Sequence, residues 1–188
     1  MNYYDEEQFL AQVDENDKFL GRVEKWEAHT SGLLHRAFTI ALTINGDILL
    51  QHRKHPVFDG VYDLTCSSHP MCNQDSEEGV QGLADAGGAA LEREWGLQQS
   101  ELLSSLKDIG SVYYQAKDPH SKYVEHEICH LLIGEVERVP EPNPEFAYGY
   151  SILEAQSLVN NWEKKPIAAS AAPWVEPLIA LMQRHLQE

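Results

Sequence analysis

Four short stretches carry residue types that can bind a metal ion or move a proton. Thr65-Cys66-Ser67-Ser68-His69-Pro70 sets hydroxyls and a thiol just before an imidazole. Leu91-Glu92-Arg93-Glu94-Trp95-Gly96-Leu97 closes a helical pattern that carries Glu94 near its end. Tyr123 to Ile128 places Glu125 and Glu127 two residues apart, so on a strand both carboxylates leave the same face. His29 and His35 bracket Thr30-Ser31-Gly32-Leu33-Leu34, an interval that needs a loop to bring the two rings together. Imidazoles and carboxylates on ordered elements suit a divalent cation.

Each feature has a plainer alternative. Two like charges side by side cost energy unless the face is wet or a cation lies between them. Glu125 and Glu127 therefore mark either a solvated edge or a buried ion. The apolar neighbours Val124, Ile128, Leu131, Leu132 and Ile133 favour a central strand, and so the ion. His69 alone reads as readily as a hydrogen-bonded structural residue as a ligand. Glu94 sits where a helix dipole disfavours an anion, which hints at a compensating positive group. His52, Arg53, Lys54 and His55 form a basic cluster better suited to a phosphate than to a metal.

The elements that must position these residues follow from patterning. Residues 7–23 predict a hairpin, with Phe9, Leu10 and Val13 before the turn Glu15-Asn16-Asp17-Lys18 and Phe19, Leu20 and Val23 after it, and the acidic segment 1–7 is open to fraying. Residues 36–44, Asn45-Gly46 and 48–51 predict a second. Ser76–Trp95 has helical spacing interrupted by Gly87-Gly88 and stopped by Gly96. Residues 109–116 and 123–136 predict paired strands joined by Asp118-Pro119-His120-Ser121, and 146–152 another. Ser151 with Glu154 reads as a capping box opening a helix Leu153–Trp162, and a last helix starts near Pro173. A mixed sheet with helices packed around it, an α/β/α sandwich, is the expected architecture, as a single domain over residues 1–188.

Composition narrows the partners. The chain has 188 residues, 43% of them hydrophobic, enough for a real core. Its net charge of −16 argues against a nucleic-acid partner and reads first as solubility. A phosphate-ester ligand would need that field reversed locally by a metal and a few cations. Three scattered cysteines make no disulfide framework, and no run approaches membrane-spanning length. Without a signal-like N-terminus, the expectation is a cytoplasmic protein with no membrane partner, a monomer or weak dimer.

Taken together, Glu24–Thr30, Ser67-Ser68-His69-Pro70, Arg93-Glu94-Trp95-Gly96, Tyr114–Pro119 and Val124-Glu125-His126-Glu127 resemble type 1 isopentenyl-diphosphate isomerase, a branch of the Nudix fold. The resemblance runs in register from about residue 8 to Trp174. It implies a metal cage of His29, His35, His69, Glu125 and Glu127, holding Zn²⁺, Mn²⁺ or Fe²⁺. It implies that Glu94 helps hold Mg²⁺ on the substrate diphosphate, and that Lys25 and Arg53 bind that diphosphate. Tyr114 and Glu127 would transfer a proton, and Trp174 would wall a carbocation. The implied reaction is 1,3-proton transfer in a five-carbon alkenyl diphosphate, a small-molecule substrate.

Two positions depart from the family pattern. Ser67 stands where the resemblance implies a catalytic cysteine, and a hydroxyl is a far poorer acid or base than a thiol with pKa near ~8.5. Cys66 is adjacent, but neighbours in an extended segment point to opposite sides. Ala90 stands where relatives carry an arginine, removing a contact worth roughly 1.5–3 kcal/mol. The expectation is thus an isomerase weakened at two points. A Nudix pyrophosphohydrolase and a non-catalytic prenyl-diphosphate-binding relative are the alternatives. The first is short of carboxylates, since its helix positions read Ala89-Ala90 and Arg93-Glu94.

Overall fold

The computed structural model describes residues 3–185. A 3₁₀ turn, Tyr3–Asp5, precedes the hairpin of β1 (Phe9–Val13) and β2 (Phe19–Glu24). Of the segment expected to fray, Met1 and Asn2 lie outside the described residues, whereas Tyr3–Asp5 is folded. Helix α1 (Lys25–Ser31) leads into β3 (His35–Ile44), and Asn45-Gly46, both at positive φ, turns it into β4 (Asp47–Arg53). Two short strands follow, β5 (Tyr62–Asp63) and β6 (Cys66–Ser68), then α2 (Leu83–Trp95). The long hairpin β7 (Lys107–Lys117) and β8 (Val124–Glu135), strand β9 (Ala147–Glu154), α3 (Ala155–Asn160) and α4 (Val175–His185) complete the order.

β3 is the axis of the sheet. It pairs in parallel with β8 from His35↔Glu127 to Thr43↔Glu135, and on its other side with β6 at Phe38, Thr39 and Ile40. β7 extends the sheet beyond β8, while β9 extends it beyond β4. The hairpin β1–β2 joins at the start of β3, through Gln12↔His35. Alternation along β3 sends Ala37 and Ala41 into one core with Leu158 of α3 and Leu178, Ile179 and Met182 of α4. Phe38, Ile40 and Leu42 enter the opposite core with Ala86, Leu91 and Trp95 of α2. Each such Leu, Ile or Phe contributes about 1.5–3 kcal/mol when buried. The result is a mixed α/β/α sandwich. No helix among the described residues is long and apolar enough to cross a membrane.

Three local expectations are corrected. The pattern over Ser76–Trp95 is not one helix: a 3₁₀ turn at Glu77–Gly79 is followed by α2, which starts only at Leu83. Backbone pairing of Gln81 N to Met71 O and of Val80 with Cys72 claims the upstream residues first. Gly87 suits a close approach, since a Cβ there would lie 2.6 Å from Leu106 Cδ1. Ser151 caps no helix either. β9 continues to Glu154, opposite Asp47 of β4, and Glu154 itself accepts from Ser157 N at 2.9 Å to cap α3.

The third correction matters for function. The link between His29 and His35 is not all loop: His29 lies on α1, seven residues long, and His35 begins β3. Gly32 ends the helix at φ 64°, a left-handed conformation open to glycine at little cost. The chain thus reverses within three residues, and both rings face the same point.

Candidate active site

Five side chains meet at the start of β3. His29, His35, His69, Glu125 and Glu127 are all buried, and one ligand atom from each lies within 4.8 Å of every other. Local structure aims them. His29 Nδ1 donates to Lys25 O at 2.7 Å within α1, and His35 Nδ1 to Leu33 O at 2.7 Å, so each ring turns Nε2 inward. Backbone acceptors of this kind fix the tautomer of a metal-binding imidazole. His69 enters from the end of β6, and Glu125 and Glu127 from one face of β8.

The centre holds unresolved polarity. His35 Nε2 and His69 Nε2 approach to 3.2 Å, although the first is an acceptor in the tautomer its Nδ1 bond selects. His29 Nε2 and Glu125 Oε2 are 3.2 Å apart without hydrogen-bond geometry, and both are buried without a partner. Orphaned buried atoms are costly and rare. Lone pairs converging at these separations fit an ion bound at about 2.1 Å, whose adjacent ligands sit ~3 Å apart. The donor set can therefore hold a metal. Five donors exceed the four of a closed structural zinc site.

Around this group lies a cavity lined by the cations Lys25, Arg53 and Arg93, by Glu94, Glu125 and Glu127, and by Ser67, Tyr114 and Trp174. Lys25 Nζ donates a hydrogen bond to Gln8 Oε1 at 3.0 Å, and burial, aided by Arg93 and Arg53, brings the pKa of its ammonium down to about 8. Arg53 Nη1 is 3.4 Å from Asp63 Oδ2. Glu94 lies outside the five-residue group, its carboxylate shared between Gln51 Nε2 at 3.1 Å and Arg93 Nη2 at 2.9 Å. Among the basic cluster at 52–55, only Arg53 and His55 reach the cavity. His52 stacks on Tyr62 at 4.8 Å and Lys54 binds Pro144 O, so that cluster is no phosphate site as a unit.

The proton-transfer candidates stand on β6 and β8, which flank β3, and on β7 beyond β8. On β8, the Glu127 carboxylate accepts a short hydrogen bond from Tyr114 Oη and another from His69 Nε2 at 3.0 Å. Burial would raise this carboxyl, but His35 and Tyr114 outweigh it and hold it below its usual value. Burial and the adjacent Glu127 push the Tyr114 phenol well above its ordinary value. On β6, Ser67 Oγ lines the cavity, whereas Cys66 is wholly buried in the core under α2, where burial raises its thiol. The thiol therefore points away and does not replace the serine. Trp174 is 1% exposed, with its ring 5.6 Å from that of Tyr114.

No family model matches the chain. An isopentenyl-diphosphate Delta-isomerase of Streptomyces griseus subsp. griseus is 35% identical over 166 residues, covering 85% of this chain and 78% of that one. The chain belongs to the isopentenyl-diphosphate Delta-isomerase family. Its fold is that of Nudix proteins. A MutT Nudix hydrolase from Burkholderia pseudomallei superposes with a TM-score of 0.54 at 18% identity, covering 80% of this chain and 97% of that one. The crystal structure of DR0079 from Deinococcus radiodurans gives 0.64 at 15% identity, over 92% and 97% of the chains. At such identities the likeness concerns the fold alone.

Within this isomerase family member, several cavity residues had no signal in the sequence. Arg93 was visible only as part of a motif, yet its Nε is buried without a partner and its Nη2 reaches Ser68 Oγ at 3.2 Å. Ala90, by contrast, is fully buried in the core and does not line the cavity. Tyr3 and Tyr4 also line the cavity, whose volume is about 20 Å³, room for roughly one water. A second space of about 380 Å³, lined also by Arg22 and Met71, shares Tyr3, Ser68, His69 and Arg93 with the first.

Proposed function

We propose that the protein is a metal-dependent isopentenyl-diphosphate isomerase that interconverts isopentenyl and dimethylallyl diphosphate. The observation that supports this best is the five-donor group itself, one of whose carboxylates, Glu127, is also hydrogen-bonded to Tyr114. A divalent ion held there, Zn²⁺, Mn²⁺ or Fe²⁺, supplies charge that neutralises Glu125 and Glu127. Glu94 would hold a Mg²⁺ bound to the diphosphate, exchanging for it the contacts it now makes with Gln51 and Arg93.

The chain's own residues do the rest. Lys25, Arg53 and Arg93 bind the diphosphate, and Arg93 offers the donor that Ala90 lacks. Glu127 with Tyr114 exchanges a proton with one end of the three-carbon unit, and Ser67 with the other. Two such groups are needed because the double bond moves by gaining a proton at one carbon and losing one elsewhere. The electron-rich face of Trp174 shelters the tertiary cation between these steps. Burial keeps out water that would capture that cation. A five-carbon diphosphate exceeds the space present, so Tyr3 and Tyr4 move aside for entry, opening towards the space at Arg93.

Deuterium wash-in tests the reaction. Metal-loaded protein incubated with isopentenyl diphosphate in heavy water is expected to incorporate label and form the dimethylallyl isomer, followed by proton and deuterium NMR. Complete absence of label after prolonged incubation would exclude the activity.

A further inference from the structure

We propose that Asp63 is a positioning residue for the carbocation wall: its carboxylate, hydrogen-bonded to the Trp174 indole N–H, enriches that ring in electron density and so favours a cation at its face. The proposal rests on the isomerase reading above and adds to it a residue outside the cavity lining.

Asp63 ends β5, paired with Gln51 of β4, with none of its surface exposed. A carboxylate in that position is costly unless several donors serve it. Three donors serve it here. Its Oδ1 accepts from Leu64 N and from Trp174 Nε1, each at 2.8 Å, and its Oδ2 meets Arg53 Nη1 at 3.4 Å. Burial raises the carboxyl above its ordinary value, with Arg53 the first group to oppose it. A set of partners that all donate fits the ionised form, which can only accept. Ser67 Oγ faces the same indole N–H at a longer 3.2 Å, so the carboxylate is the nearer acceptor.

The Trp174 ring lines the cavity and is packed closely. Phe58 meets it edge to face at 5.5 Å and the Tyr114 ring lies 5.6 Å away, which leaves the indole little freedom to turn. Arg53 Cζ is 5.4 Å from its centre. A guanidinium so placed draws on the negative face of the ring and repels a second cation there. The Asp63 carboxylate, shared between that guanidinium and the indole N–H, offsets both effects. A hydrogen bond to an anion polarises the N–H towards the oxygen and returns electron density to the ring, which deepens the negative potential at its face. A neutral acceptor at the same distance would hold the indole equally well but supply less charge.

The test uses isothermal titration of metal-loaded protein, in Mg²⁺, with two probes. One is a diphosphate with a protonated tertiary amine in place of the branching carbon; the other is the saturated five-carbon diphosphate, of the same shape without that charge. Asp63→Asn keeps an oxygen for the indole and removes the anion. It is expected to weaken the ammonium probe about tenfold and the neutral probe less than about twofold, and to lower kcat about tenfold with KM little changed. In Trp174→Phe, which has no N–H, adding Asp63→Asn is expected to alter the ammonium affinity less than about twofold. Equal losses for the two probes, no loss for either, or an undiminished loss in the Trp174→Phe background would overturn the role of Asp63. Should Asp63→Asn prevent folding, the ultraviolet resonance Raman difference between wild type and Trp174→Phe isolates the Trp174 N–H. Its hydrogen bond is expected to be the strongest among the four tryptophans, and a weaker one would overturn the role. A wild type that binds neither probe, or that does not prefer the charged one, contradicts the isomerase reading itself.

Discussion

Glu127→Gln abolishes isomerisation, lowering kcat by at least about 10³-fold, while the protein remains folded. The substitution keeps the shape of the side chain and its contact with Tyr114 but removes the group that carries the proton. Glu127 also belongs to the five-donor group, 3.0 Å from His69 Nε2 and 3.4 Å from His35 Nε2. The ion is therefore held more weakly, and the measurement is made at saturating metal to separate the two effects. Single-turnover label exchange with an unchanged circular dichroism spectrum is the readout. Activity within tenfold of wild type would mean that the proton moves through some other group.

His69→Ala and Glu125→Gln each lower bound metal to well below one ion per chain by elemental analysis. The wild type gains stability from the ion, about 2.7 kcal/mol when the free metal is 100 times Kd. For a chain of this size that corresponds to a melting temperature about 5–10 °C higher. Chelation is expected to remove this increment from wild type and to shift His69→Ala hardly at all. Without the ion, moreover, the alanine relieves the close approach of His69 Nε2 to His35 Nε2 at 3.2 Å. Unchanged stoichiometry in both variants would show that the group does not bind the metal.

Much of the site is legible in sequence because strand periodicity is strict. Residues two apart on β8 must share a face, so Glu125 and Glu127 could be paired without knowing the rest of the fold. The Asn45-Gly46 hairpin and the apolar flanks of β8 likewise announce a central sheet. The convergence of His29 and His35 is different. Helix α1 is too short to show a period, and the left-handed turn at Gly32 that aims both rings is a single glycine among 12. Asp63 and Arg93 acquire their meaning from burial against residues distant in the chain, which no spacing reveals. Ser151 with Glu154 satisfied a local capping pattern, but pairing of β9 with β4 prevailed over it. The carboxylates of α2 also separate only in three dimensions. Glu94 lines the cavity, while Glu92 is exposed and binds Gln98, leaving the helix short of the carboxylates that pyrophosphate hydrolysis requires.

X-ray absorption at the metal edge of protein reconstituted with one equivalent of Zn²⁺ or Mn²⁺ probes the claim beneath all of this, that three imidazoles and two carboxylates close on a single buried ion. The expected spectrum is a mixed nitrogen and oxygen shell at about 2.1 Å with outer-sphere scattering from three imidazole rings, reduced to two in His69→Ala. A shell of oxygens alone, or one that His69→Ala leaves unchanged, would contradict it.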